Sequence, residues 1–206
     1  MAVWTERTNC RVCSGELEVV LDLGEQYLPR WIPLADVEAL KDKLPKAPLR
    51  LSRCNVCGLL QLHEAIEPDL VYRKYWYRSG INDSMQTALL NLAREAQTWH
   101  KSGKWLDIGA NDGTLLRFVP RQFERIACEP ALDFSEELKG VADLVIPDYF
   151  DAKYGIEKCS VITSAAMFYD VDRPDDFVAA IAAALAPDGV WLNQLNDAPA
   201  MIRENA

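Results

Sequence analysis

Basic residues are scarce in this 206-residue sequence: 22 lysines and arginines stand against 31 aspartates and glutamates, for a formal charge of −9. So acidic a chain has no general attraction for a phosphate backbone or an anionic lipid surface, and neither nucleic-acid nor membrane partners are expected. Long apolar runs are missing too; none approaches the roughly 20 residues that a membrane span needs. The opening Met1-Ala-Val-Trp-Thr-Glu-Arg lacks the basic head and apolar stretch of a secretion signal, so a cytoplasmic protein is expected. Histidine is nearly absent, with only His63 and His100. What remains is a globular composition, 50% apolar and 26% charged, which excludes bulk disorder and suffices for one large domain or two small ones.

Four of the six cysteines fall in two Cys-x-x-Cys pairs, Cys10/Cys13 and Cys54/Cys57. Two thiolates so spaced reach one ion from a tight turn, and a second such turn completes a tetrahedral sulfur site for zinc. Turn residues follow each pair, Ser14-Gly15 and Gly58. The gap of roughly 40 residues between the pairs exceeds the usual ribbon spacing, so a loop must be stored there. The competing reading is one redox-active pair beside an accidental one. Cys128 and Cys159 stand alone in apolar runs and read as core-filling thiols. Leu49 to Arg53 and Leu59 to Leu62 flank the second pair as a hairpin. With no basic face here, the zinc reads as a folding staple, not a nucleic-acid reader.

The organisation divides into residues 1–70, a zinc-binding domain; 71–103, a linker and helix; and 104–206, an α/β domain. Tyr72 to Gly80 mixes aromatics and cations. It is either a linker packed on a core or a segment over an active-site mouth, with Tyr75 and Tyr77 as hydrogen-bond donors. A helix from about Asn82 to His100 places Met85, Ala88, Leu89, Leu92, Ala93, Ala96 and Trp99 on one face, capped by Asn82 or Asp83. From Lys104, strands near 105–110, 125–129, 142–146, 159–164 and 190–195 alternate with helices near 114–118, 131–139 and 175–186. That rhythm predicts a parallel, doubly wound sheet with its ligand at the carboxyl ends of the strands.

Asp107-Ile-Gly-Ala-Asn-Asp-Gly joins the first of these strands to its helix, the glycines admitting close approach of backbone to a ligand. A dinucleotide fingerprint needs glycine at 111 and 114, where Asn and Thr stand. Carboxylates at 107 and 112 repel a diphosphate and suit a ligand carrying an ammonium and a sulfonium. Glu129, about 20 residues after Gly109, ends the second strand where a carboxylate takes ribose hydroxyls. Asp148 and Tyr149 are placed to edge an adenine, and Ser164 to lie near a methionine moiety. Asp107, Gly109, Asn111, Asp112, Gly113, Glu129, Asp148, Tyr149 and Ser164 thus form a candidate cofactor site that favours S-adenosylmethionine over NAD.

Two Cys-x-x-Cys knuckles, Gly58-Leu-Leu-Gln-Leu, Tyr77-Arg-Ser-Gly-Ile-Asn-Asp-Ser-Met, Leu106-Asp-Ile-Gly-Ala-Asn-Asp-Gly-Thr-Leu-Leu and Met167-Phe-Tyr-Asp-Val-Asp-Arg-Pro together resemble the zinc-containing C-methyltransferases of nucleotide-linked keto-deoxysugars. The resemblance implies a zinc domain, a Rossmann-like class I methyltransferase domain and a nucleotide-sugar substrate. It also implies a His-Glu-His segment with following tyrosines, beyond the last strand seen here, as the acid-base machinery. The chain stops where that segment would begin, so the expectation is a partial methyltransferase domain lacking its last strands. Making a carbanion beside a ketone needs a base and a donor to the enolate. Tyr75, Tyr77 and Tyr169 can donate, but an ordinary phenol is a poor base at neutral pH. Cofactor binding with little C-methylation is therefore expected, along with self-association through the unpaired edge of the fifth strand. The alternative is a non-catalytic S-adenosylmethionine-binding zinc module acting as sensor or scaffold.

Overall fold

A computed structural model describes residues 3–29, 34–40 and 43–204. The chain divides into two compact units, Met1–Trp76 and Tyr77–Ala206. The first unit is built of short antiparallel pieces. Strand β1 (Trp4–Glu6) pairs with β5 (Glu64–Ile66), and β2 (Leu17–Tyr27), β3 (Lys46–Cys54) and β4 (Leu60–Leu62) form a three-stranded sheet in that order. Single-turn helices α1 (Val37–Leu40) and α2 (Asp69–Tyr72) complete it.

The hairpin expected across the second knuckle is β3 and β4, in register Leu51↔Leu62, Ser52↔Gln61 and Arg53↔Leu60. The long gap between knuckles is stored as an excursion: β2 leaves at Leu17, opposite Cys54, and its far end Tyr27 lies opposite Lys46. A polar joint ties the strands together. His63 links Ser52 Oγ (2.8 Å) to Glu6 Oε1 (3.0 Å), and Arg50 reaches the buried Glu64 and Glu6. The hydrogen bond from His63 holds the Glu6 carboxyl below its usual range.

The second unit opens with helix α3 (Asp83–Trp99). Asn82 caps it, its side-chain oxygen accepting from the Ser84 and Met85 amides at 3.0 and 3.2 Å. Leu89, Ala93 and Ala96 are buried as the helical period requires, while Ala88, expected on that face, is exposed and so, at 64%, is Trp99. It is the helix's last residue, and the apolar stripe has run out beneath it.

Five parallel strands follow, β6 (Gly103–Ile108), β7 (Phe123–Cys128), β8 (Leu144–Ile146), β9 (Cys159–Ala165) and β10 (Leu185–Gln194), ordered β10-β9-β6-β7-β8. Between them run α4 (Thr114–Arg117), α5 (Ser135–Lys139) and α6 (Pro174–Ala184), with α7 (Ala198–Glu204) after β10. Strands covered on both faces need continuous apolar runs, and Trp105 to Ile108 are all buried. Leu106, Ile108, Ile126 and Ile162 pack against Phe177 and Ile181 of α6, with Cys128 and Cys159 filling the core as expected. Trp105 meets Phe123 edge-on, ring centroids 5.2 Å apart.

Several segments differ from expectation; the helix expected near 131–139 is a 3-10 turn (Leu132–Phe134) followed by α5. Helix α4 is a single turn, ending at Arg117 three residues before Pro120. Strand β10 begins at Leu185 rather than after the Pro187-Asp-Gly turn, which is absorbed as an irregularity between the Leu185 and Val190 pairings. Among the described residues no helix is long and apolar enough to cross a membrane. Asn205 and Ala206 lie outside the described residues.

Candidate functional site

The four paired cysteines converge in the first unit, their sulfurs all within 4.8 Å of one another. The short approaches cross between knuckles: Cys10 to Cys57 is 3.7 Å and Cys13 to Cys54 is 3.4 Å. Zinc–sulfur bonds of about 2.3 Å at tetrahedral angles separate sulfurs by roughly 3.8 Å, so the set fits one zinc ion. A lone redox pair does not require this cross-knuckle convergence. The Cys54 thiol is lowered to about 6, chiefly by the Cys57 amide and also by that of Val56, both donating to its sulfur. Backbone donors of this kind favour the thiolate that a metal ligand must become.

In the second unit the β6–α4 turn is shaped by three left-handed residues, Gly109 (φ 72°), Asn111 (φ 50°) and Gly113 (φ 76°). Glycine carries no penalty there, and asparagine tolerates it better than most residues. Protein neighbours add a second reason. A Cβ on Gly113 would lie 2.6 Å from Val141 Cγ2, and one on Gly109 would lie 3.2 Å from Met167 Cγ. The glycines thus answer to backbone conformation and close packing in the protein itself.

Carboxylates bracket this turn. Asp107, beside Thr163 across the β6–β9 pairing, accepts its hydroxyl at 2.7 Å. Burial raises Asp107 to about 7; the Thr163 hydroxyl opposes this rise and the charge of Glu129 adds to it. Glu129 follows β7, its two oxygens accepting from the Asn111 amide (2.7 Å) and the Ala131 amide (2.8 Å). Burial raises it as well, against those two amides. A carboxylate offers about four lone-pair positions, so both Glu129 oxygens retain acceptor capacity.

The other candidates divide by what they touch. Asp112 accepts from the Gly80 amide (2.9 Å), the Thr114 amide (3.2 Å) and the Thr114 hydroxyl (2.6 Å). Asn111 donates to the Tyr77 carbonyl (2.9 Å) and accepts from the Ser79 amide (2.9 Å). Asp148, after β8, accepts from the Tyr154 hydroxyl, and Tyr149 follows it. Ser164 is sealed within the sheet, donating to Asn193 (3.0 Å) and accepting from Trp191 (2.9 Å). Tyr169 is 41% exposed in a short 3-10 turn after β9. Tyr75 belongs to the first unit and Tyr77 opens the second.

The chain order β6, β7, β8 runs one way across the sheet and β9 starts the other side of β6, so the switch point lies between β6 and β9. Asp107, the glycine turn and Met167 meet there. Sequence reasoning missed Thr163, whose role depends on strand register, and Gly80, which faces Asp112 from 32 residues away.

Comparison with known proteins bears on both units. Residues 10–72 match a family model described as "Putative zinc binding domain", and residues 77–203 match one described as "Methyltransferase domain". No curated protein matches the chain by sequence. Among solved structures, the plantazolicin methyltransferase BpumL in complex with SAH is 13% identical, with TM-score 0.51, over 61% of this chain and 53% of that one. The cyclopropane synthase MmaA2 from Mycobacterium tuberculosis is 20% identical, with TM-score 0.48, over 68% of this chain and 54% of that one. Coclaurine N-methyltransferase, bound to N-methylheliamine and SAH, is 16% identical, with TM-score 0.45, over 59% of this chain and 38% of that one. The chain therefore spans between 38% and 54% of the length of these three. BpumL shares the fold of the second unit. With the methyltransferase model matched over more than half its length, the chain belongs to the methyltransferase domain family, preceded by a match to the zinc-binding one.

Proposed function

We propose that this chain is an S-adenosylmethionine-dependent methyltransferase whose acceptor is the carbon beside the ketone of a nucleotide-linked 4-keto-deoxysugar. The observation that carries the cofactor is the pair of buried carboxylates, Asp107 and Glu129, on either side of a left-handed turn at the sheet's switch point. Such a site disfavours a diphosphate and suits a cationic nucleoside. The sugar acceptor is supported by the motif series from the cysteine knuckles through Met167-Phe-Tyr-Asp.

When bound, the cofactor supplies an electrophilic methyl group on a sulfonium. Glu129 holds the ribose hydroxyls on its remaining lone pairs, and Asp107 answers the ammonium. Asp148 and Tyr149 edge the adenine, while the main chain of 109–113 follows the nucleoside. Ser164 fixes Trp191 and Asn193 behind the methionine moiety. Tyr77 and Tyr169 donate to the enolate oxygen. Cys10, Cys13, Cys54 and Cys57 hold zinc, and the cytoplasm is the setting in which these thiols stay reduced.

Removing the acceptor's proton requires a base. His100, the second unit's histidine, engages the Asp188 carbonyl at the amino ends of the strands, away from the site. With no histidine of the described second-unit residues at the site, slow turnover is the expectation of this proposal. Incubation with methyl-labelled cofactor and a dTDP-4-keto-2,6-dideoxysugar should yield product at least about a thousandfold below the ~10 per second of a typical enzyme. Rapid C-methylation contradicts the missing-base reading, and cofactor binding with no product from any keto-sugar favours a non-catalytic sensor or scaffold. We also propose self-association through β10, which among the described residues pairs only with β9 and is followed by the exposed Leu195. Light scattering should give a mass above 23.2 kDa, and a monomer removes this proposal.

A further inference from the structure

Six contacts meet at the stretch Tyr77 to Gly80. The Asn111 side chain bonds it twice, through the Tyr77 carbonyl and the Ser79 amide, in the manner of a short strand pairing. Asp112 takes the next amide, that of Gly80. From α3, Gln86 donates to the Gly80 carbonyl at 2.7 Å. Arg78 reaches the other way, ion-paired with Glu137 and lying 5.1 Å over the buried Phe134 ring. Gly80 leaves no room for error, since a Cβ there would meet Thr114 Oγ1 at 2.8 Å and Asp112 Oδ2 at 2.9 Å. Meanwhile the Asn111 backbone amide faces the opposite way, donating to Glu129.

We propose that Asn111 and Asp112 are positioning residues, whose side chains clamp Tyr77–Gly80 to the glycine turn and couple occupancy at Glu129 to the placement of Tyr77. The inference rests on the cofactor reading above but assigns these two side chains to the protein's own segment instead of the ligand. Asn111 is the hinge of the coupling: its main chain serves Glu129 and its side chain serves Tyr77 and Ser79. A ligand that orders Glu129 orders Asn111, and through it the segment bearing the proposed enolate donor. The left-handed backbone at 111 explains how one residue faces both ways.

Amide hydrogen exchange of the full chain tests this, using Asn111→Gly, which keeps the left-handed conformation at no steric cost while removing both side-chain bonds. Without ligand, the Ser79 amide should exchange about five- to tenfold faster than in the unsubstituted protein, as loss of one net hydrogen bond implies. Asn111→Asp restores an acceptor for Ser79 and should recover most of that protection. S-adenosylhomocysteine should slow exchange at Ser79 and Gly80 in the unsubstituted protein and not in Asn111→Gly. Because coupling is reciprocal, its affinity for the variant should fall by the same factor by which it slows Ser79 exchange in the unsubstituted protein. Unchanged Ser79 exchange in ligand-free Asn111→Gly, or an unchanged affinity in that variant although the ligand slows Ser79 exchange in the unsubstituted protein, overturns the clamp. Failure of the unsubstituted protein to bind S-adenosylhomocysteine overturns the cofactor reading instead, while the ligand-free exchange rates still decide whether Asn111 holds the segment.

Discussion

Stripping the metal from the four-cysteine cluster should unfold the first unit. Its described residues bury only four apolar side chains, Cys10, Leu28, Ala47 and Cys54, and two of those are proposed zinc ligands. Val19, Val20, Leu21 and Leu23 along β2 are instead 41–53% exposed. A domain of this size with so thin a core depends on a staple, and a structural zinc contributes on the order of 10 kcal/mol to folding. The protein should contain one zinc per chain. A strong chelator, or Cys54→Ser, should remove it and abolish amide protection in β1 to β5, while β6, β7 and β9 keep theirs on their own buried core. A folded, protected first unit in metal-free protein contradicts the staple.

Binding of S-adenosylhomocysteine should weaken as pH falls below 7. Burial raises Asp107 from its unfolded value near 3.8 to about 7, so the ligand-free fold favours the neutral acid. The sign for stability follows: the contribution is fully present below the unfolded pKa and is lost as pH rises through 7. For binding the sign reverses, because an ammonium selects the carboxylate. Affinity should level off above pH 7 and fall by up to about tenfold per unit below it. Asp107→Asn keeps an acceptor for the Thr163 hydroxyl but never carries charge. It should flatten the profile and cost roughly 10- to 100-fold at pH 8, the range of a hydrogen bond to a charged partner. An affinity that does not change between pH 6 and 8 in the unsubstituted protein excludes Asp107 from the ammonium site.

The succession of strands and the metal cluster were legible in the sequence for different reasons. Strands such as Trp105–Ile108 and Val161–Thr163 are buried throughout, so each is a short, mostly apolar run between turn residues, interrupted by the buried polar Asp107 and Thr163. The cysteine spacing carries its chemistry in the covalent chain, since two residues between thiols fit one turn around an ion. What was not legible depends on register and on neighbours far along the chain. That Asp107 meets Thr163, and that Ser164 is sealed by Trp191 and Asn193, follows from how β6, β9 and β10 align. The same holds for Gly113, whose need to lack a Cβ comes from Val141, and for Asn111 and Asp112, whose partners precede α3. Trp99 obeys the helical period but sits where the helix ends, and periodicity does not record where the neighbouring core stops.

The central claim is that the turn after β6 receives a cationic sulfur nucleoside, and amide shifts in a nuclear magnetic resonance titration test it most directly. Added S-adenosylhomocysteine, which keeps the nucleoside and the ammonium, should move the Gly109, Asn111, Gly113 and Ala131 resonances saturably, and NADH at the same concentration should leave them in place. Perturbation by NADH instead, or shifts from S-adenosylhomocysteine confined to residues away from Asp107 and Glu129, would contradict the account.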